Sequence, residues 1–182
     1  MSIVQPRTEA QLAAALDDVR AAPRDAGTIE LIVLRPAALE REVVEVGHLD
    51  PAVGMIGDNW STKPSKKTGA PNPNAQVTVM NIRALRAICD DPEWPLAGDN
   101  LCVDLDLSEA TTPAGTKLLI GETILEVTAD PHTGCAKFTE RFGSEATKWV
   151  NSPLGRALNL RGINAKVIHG GAVRRGDPIR KA

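Results

Sequence analysis

Residues 130–136 read DPHTGCA and set Cys135 in a Pro/Gly turn, three residues after His132 and two before Lys137. The thiolate is the form of cysteine that attacks electrophiles and ligates metals, and cationic neighbours favour it. His132, Lys137 and Arg141 are such neighbours, and a helix starting at Ala136 would add the positive end of its dipole. His132 is either a partner of the thiolate and a proton donor or a turn histidine facing water. The other two cysteines sit in apolar company: Cys89 follows Ala87 and Ile88, and Cys102 lies between Leu101 and Val103. Both are expected in the core, the usual place of a free cysteine. An odd set of three with no CxxC spacing reads as reduced thiols in a cytoplasmic protein, not as a disulfide framework.

Other polar residues could surround such a thiol. Gly-Asp-Asn occurs at 57–59 and again at 98–100. Asp and Asn form turns by bonding their own backbone, which explains both motifs without a ligand. The functional alternative makes Asp58, Asn59 and Asn100 a polar rim. The loop STKPSKKTG offers Lys63, Lys66 and Lys67 either as an anion grip or as a solvated segment. Arg156 and Arg161 flank the last helical stretch, and Arg161 is a candidate anion contact. His48 and His169 stand at strand ends and are expected at the surface. No His/Cys spacing suggests a zinc or iron cage.

The elements that must carry these residues are mostly short strands. TEAQLAAALDDVRAA predicts a helix with a Thr8/Gln11 capping box, ended by Pro23. TIELIVLRP from Thr28, REVVEVGHLD from Arg41 and QVTVMN from Gln76 read as strands. A helix is predicted over Ile82–Cys89 and a half-buried strand over NLCVDLDL. KLLIGETILEV predicts a hairpin turning at Gly121 and Glu122. SEATKWVN and SPLGRALNL predict short helices, the second with Ser152 and Pro153 as cap and first-turn residue. The tail predicts a strand, a Gly-Gly turn and short returning strands. The fold class is therefore mainly β with α, a closed or nearly closed mixed β-barrel with short helices at its ends. Residues 1–27 form an N-terminal helical extension and residues 28–182 the barrel domain.

Composition excludes several functions. The 182 residues are 42% hydrophobic and 24% charged, with net charge −2, as in a soluble globular domain. Two Phe, three Trp and no Tyr leave no stacking platform, and the acidic balance gives no reason to expect nucleic acid. No apolar run approaches a membrane span, and the first residues lack the order of a secretory signal. No glycine-rich nucleotide loop, flavin motif or cluster spacing is present.

Four motifs in order carry a family likeness: GMIGDNW (54–60), AGDNLCVDLDL (97–107), GTKLLIGETILEVTADPHTGC (115–135) and RGINAKVIHGGAVRRGD (161–177). Together they resemble the MOSC domain, named for the C-terminal domain of molybdenum cofactor sulfurase, over roughly residues 28 to 180. The resemblance implies a strand-rich barrel whose reactive cysteine is Cys135. In relatives that reduce N-hydroxylated compounds, such as amidoxime reductases and the hydroxylaminopurine-resistance proteins, that cysteine ligates the molybdenum of the pterin cofactor. A sulfur-carrying role is proposed for it in others.

The resemblance thus implies molybdenum cofactor (molybdopterin) as cofactor, with Cys135 as metal ligand; His132 is the catalytic candidate beside it from its place in the turn, not from the family pattern. Asp58, Asn59, Asn100, Thr133, Arg141 and Arg161 make up the cofactor-binding set. Partners are then a small-molecule substrate and a separate electron-donor protein. The alternatives are sulfur transfer through a Cys135 persulfide and a non-catalytic domain that binds pterin or another anion. Many relatives have Arg where this chain has Asn59, and Pro-Arg-x-Pro-Cys where it has PHTGC.

Overall fold

The computed structural model describes residues 4–65 and 68–182. The chain opens with α1 (Glu9–Ala14) and α2 (Leu16–Arg20). Thr8 caps α1 by the expected box, its Oγ1 accepting from Gln11 N–H while Gln11 Oε1 accepts from Thr8 N–H. The predicted single helix is divided because Ala15, at ψ −9°, departs from the helical value and interrupts the ladder. Leu12 and Val19 face inward and join the core beneath the helices.

Then follow β1 (Ala26–Leu34), β2 (Glu42–Val43), β3 (Val46–Asp50), β4 (Gly54–Met55), β5 (Val77–Asn81) and α3 (Ile82–Ile88). β6 (Leu101–Asp104) comes next, followed by the hairpin β7 (Lys117–Ile120) and β8 (Thr123–Val127). That hairpin turns over Gly121 and Glu122 as read from the sequence. Three helices, α4 (Ala136–Phe142), α5 (Ser144–Asn151) and α6 (Pro153–Ala157), precede β9 (Ile163–His169), β10 (Gly171–Arg174) and β11 (Pro178–Lys181). Ser152 Oγ accepts from Gly155 N–H and so caps α6.

Seven strands close a mixed barrel in the order β11-β7-β8-β9-β5-β6-β1, with β11 pairing back to β1. β5 and β6 run parallel, joined through α3; the other neighbours in the barrel are antiparallel. The closing pair Ala26↔Arg180 through Thr28↔Pro178 explains why β1 begins two residues before the predicted start at Thr28. The run from Arg41 is not one strand either. β2 pairs with β1, whereas β3 pairs with β10 and β4 in a separate three-stranded sheet, so the chain changes sheets between Val43 and Val46.

Strand alternation separates two apolar layers. Val77, Val79, Leu101 and Val103 fill the barrel, while Met80 and Cys102 point out beneath α3 and α4. A register shift between Ile29 and Leu31 switches the phase of β1, which sends Ile29 and Ile32 inward and Leu31 and Val33 to the helical layer. Phe138 and Phe142 of α4 anchor that layer with ring centroids 4.8 Å apart. α4 is thereby fixed on the outer face of the barrel wall, with Cys135 at its start.

Candidate functional site

Cys135 is the N-cap residue of α4 and is exposed, whereas Cys89 and Cys102 are buried. Burial pushes the Cys89 thiol up to about 12 and Cys102 well above its ordinary value. Those two are structural, as expected. Partial burial also raises the Cys135 pKa, but the backbone N–H groups of Phe138 and Lys137 and the charge of Arg161 outweigh it and leave it lowered. The turn before it is clamped: Gly134 N–H donates to Asn151 Oδ1 and Asn151 Nδ2 donates to Gly134 O, both at 2.9 Å. A Cβ at Gly134 would stand 3.0 Å from Val150 Cγ2, so a side chain there would press on α5. Asn151 escaped the sequence reading because its partner is 17 positions away.

His132 is neither an exposed turn residue nor a cation. Its side chain is only 17% exposed, and burial, then Arg161 and Arg35, hold its pKa well below the ordinary histidine value. The expected help of a charged His132 to the thiolate is therefore replaced by backbone amides and Arg161. Nδ1 faces Asp99 Oδ1 at 3.5 Å, beyond a good hydrogen bond, and both atoms are buried without another partner. Asp99 Oδ2 accepts from Arg161 Nη1 at 2.6 Å, and burial raises the Asp99 carboxyl pKa against the pull of Arg161. Arg161 also donates to Ala97 O and lies 4.9 Å above the Phe138 ring. Gly162, at φ +104°, lets this strand end close in: a Cβ there would lie 2.4 Å from Val79 O and 3.3 Å from His132 Nδ1.

Asp58 and Asn100 do not line the cavity beside Cys135. They hold Arg35. Asp58 is buried; its Oδ1 accepts from Arg35 N–H, Arg35 Nε and Asn100 Nδ2, and its Oδ2 from Arg35 Nη2 and Trp60 N–H. Asn100 Oδ1 accepts from Arg35 Nη2 and from Thr78 N–H. The expected polar rim is thus the frame behind an arginine, since these oxygens already have donors. Thr133 is half-buried and likewise not part of the lining. Asn59, Arg141 and Arg161 do line it, as does Lys63; Lys66 and Lys67 lie outside the described residues.

The cavity measures about 510 Å³ and brings together Cys135, His132 and six cations: Arg35, Arg41, Lys63, Lys137, Arg141 and Arg161. No carboxylate is among its lining residues as described. Arg35 and Arg41 were missed in the sequence, where nothing links a loop after the first strand to residues 100 positions on. Arg41 is half-buried, donates from Nη1 to Glu40 O, and has its pKa lowered by burial, then by Arg141 and Arg35. Arg141 Nη1 donates to Leu96 O. Arg41 Nε and Arg161 Nε are buried donors with no partner. A second cavity of about 440 Å³, lined by Glu109, Asp130 and Arg156 among others, meets the first at His132 and Arg161.

A model of the MOSC domain matches residues 71–180, and the chain belongs to that family, which is commonly linked to molybdenum cofactor proteins. No protein of curated function matches the sequence. Among solved structures, the chain is similar to the YuaD protein from Bacillus subtilis, at 18% identity, TM-score 0.57, over 85% of this chain and 94% of that one. It is also similar to YiiM from Escherichia coli (18% identity, TM-score 0.55, 85% and 69% covered). YiiM from Geobacillus stearothermophilus matches at 12% identity and TM-score 0.55, over 88% and 74%. These likenesses concern the fold.

The donor set fits a molybdenum–pterin group. Among the described residues no cluster of His, Cys, Asp and Glu could hold a metal by itself, which leaves one soft thiolate to complete the shell of a metal carried by an organic ligand. The orphaned donors of Arg41 and Arg161, in a cavity with cations and no lining acid, suit the anionic end of such a ligand. Where many relatives carry two arginines this chain has none, and Arg35 and Arg41 line the cavity from elsewhere in the chain.

Proposed function

We propose that the protein binds molybdenum cofactor through Cys135 and reduces N-hydroxylated compounds with electrons from a separate protein. The observation that carries this reading is the exposed, lowered-pKa thiol of Cys135 in a cavity whose charged lining, among the described residues, is cationic. When bound, the cofactor supplies a two-electron redox centre. Cys135 contributes the protein's sulfur ligand, held at the start of α4 by the Asn151 clamp on Gly134. Arg41, Arg141 and Arg161 hold the anionic end, and Arg35, locked by Asp58 and Asn100, stands behind them. Reduction of an N-hydroxy group takes two electrons and two protons and releases the hydroxyl oxygen as water. His132, kept neutral, is no net acid; it can relay a proton, taking one from water on its free ring nitrogen as it passes one on from the other, so that both protons come from solvent.

The test is molybdenum by elemental analysis on protein from a host that makes the cofactor, beside Cys135→Ala. Stoichiometric metal in the parent and none in the variant is the expected result. Metal in neither, after supply of cofactor, overturns the redox reading. The exposure of Cys135 favours a second reading, in which its thiolate attacks a sulfane sulfur, the donor thiolate leaves and a Cys135 persulfide forms. Mass spectrometry of metal-free protein after incubation with a persulfide donor then finds one added sulfur on Cys135.

A further inference from the structure

Six cations among the described residues line the Cys135 cavity, but they are not equivalent. Arg35 and Arg161 are neutralised from behind by Asp58 and Asp99, at 2.8 and 2.6 Å. Arg41, Arg141, Lys63 and Lys137 form no ion pair with a carboxylate among the described residues. Arg41 and Arg141 are half-buried, while Lys63 and Lys137 are exposed. The cavity therefore has an inner arginine pair and an outer lysine pair at its mouth. One phosphate-type group carries about two negative charges, enough to match the inner pair and leave the outer one unmatched.

We propose that Lys63 and Lys137 select substrates that carry a negative charge, so that the protein acts on N-hydroxylated compounds bearing a carboxylate or phosphate in preference to neutral or cationic ones. This rests on the redox reading above. Lys137 lies in the first turn of α4, two residues from Cys135, and Lys63 comes from the loop after β4, so the pair reaches the cavity of the thiol from two elements. A cavity mouth lined by one sign of charge concentrates ligands of the opposite sign and raises their association rates. The same field repels cations, which disfavours a cationic substrate and expels the amidinium formed when a neutral amidoxime is reduced. Lysine suits this role better than arginine, because a flexible ammonium meets anions of varied shape without demanding a fixed fork geometry.

The experiment compares benzamidoxime with its para-carboxy and para-trimethylammonio derivatives on the molybdenum-loaded protein with a supplied electron donor. The expected order of kcat/KM is carboxy, then unsubstituted, then trimethylammonio, with about tenfold between the first two at low salt and a shrinking gap as salt rises. In the double variant Lys63→Gln/Lys137→Gln the ratio falls towards one. Turnover with no charge preference, or with the order reversed, overturns the proposal and leaves the redox reading standing. If no probe turns over, the redox reading falls instead. Charge selection is then judged by calorimetry of the carboxy and unsubstituted probes on the parent and double variant. Equal dissociation constants in the parent, or a preference that survives in the variant, overturn it.

Discussion

The two cavities that meet at His132 and Arg161 are of similar size, about 510 and 440 Å³, yet chemically unlike. One holds Cys135 and, among its described lining, only cationic charge. The other holds no thiol and mixes Glu109 and Asp130 with Arg156. Volume does not choose between them; the sign of the charge and the presence of a nucleophile do. The partition is itself an electrostatic device. Asp99, fully buried, holds Arg161 on one oxygen and faces His132 with the other, so a single carboxylate fixes the wall that both cavities share.

The largest effect is expected from removing that wall's anchor. Asp99→Ala leaves the Arg161 charge buried and unpaired and should lower stability by about 3–5 kcal/mol, measured by urea denaturation. A second experiment sharpens the contrast within the Cys135 cavity, where Arg35 is locked and Arg41 is not. Arg35→Met strips Asp58 of its charge partner and should cost about 3 kcal/mol. Arg41→Met relieves repulsion from Arg141 and Arg35 and should change stability of the cofactor-free protein by less than about 1 kcal/mol. Equal losses for the two variants would mean that Arg35 and Arg41 are not differently compensated.

The smallest effect is on the thiol's titration. Iodoacetamide should modify Cys135 alone in the native protein, since Cys89 and Cys102 are buried. Its rate should rise with pH as the thiolate forms, with a midpoint below that of an ordinary thiol. Arg161→Met should move that midpoint upward, while a midpoint that stays put would take Arg161 out of the thiol's environment.

Much of the barrel was legible because its signals are local. The Thr8/Gln11 box, the Gly121–Glu122 hairpin and the Ser152 cap each bond within three residues or one turn, and the structure contains all of them. The start of β1 and the splitting of the Arg41 run were not legible, because partners near residue 180 and in a second sheet decide them. Of the residues singled out in the sequence, Cys135, His132, Asn59, Arg141 and Arg161 line one cavity. Asp58 and Asn100 lie one layer back, bonded to Arg35. A sequence shows that a polar group is present, not which donors have already occupied it.

The sequence by itself determined that this chain is a MOSC-type barrel and that its distinctive thiol stands in a turn at the start of a helix. Both follow from the order of strand and turn residues along the chain and from the quoted motifs. Only the tertiary structure decided the electrostatics around that thiol: that His132 is neutral, that Arg35 and Arg41 join the cavity, and that Asp58 and Asp99 compensate two of its cations while four remain. Charge interaction depends on distance and burial. The pairs that set it, such as Arg35 with Asp58 and Arg161 with Asp99, lie 23 and 62 positions apart and meet only when the barrel closes.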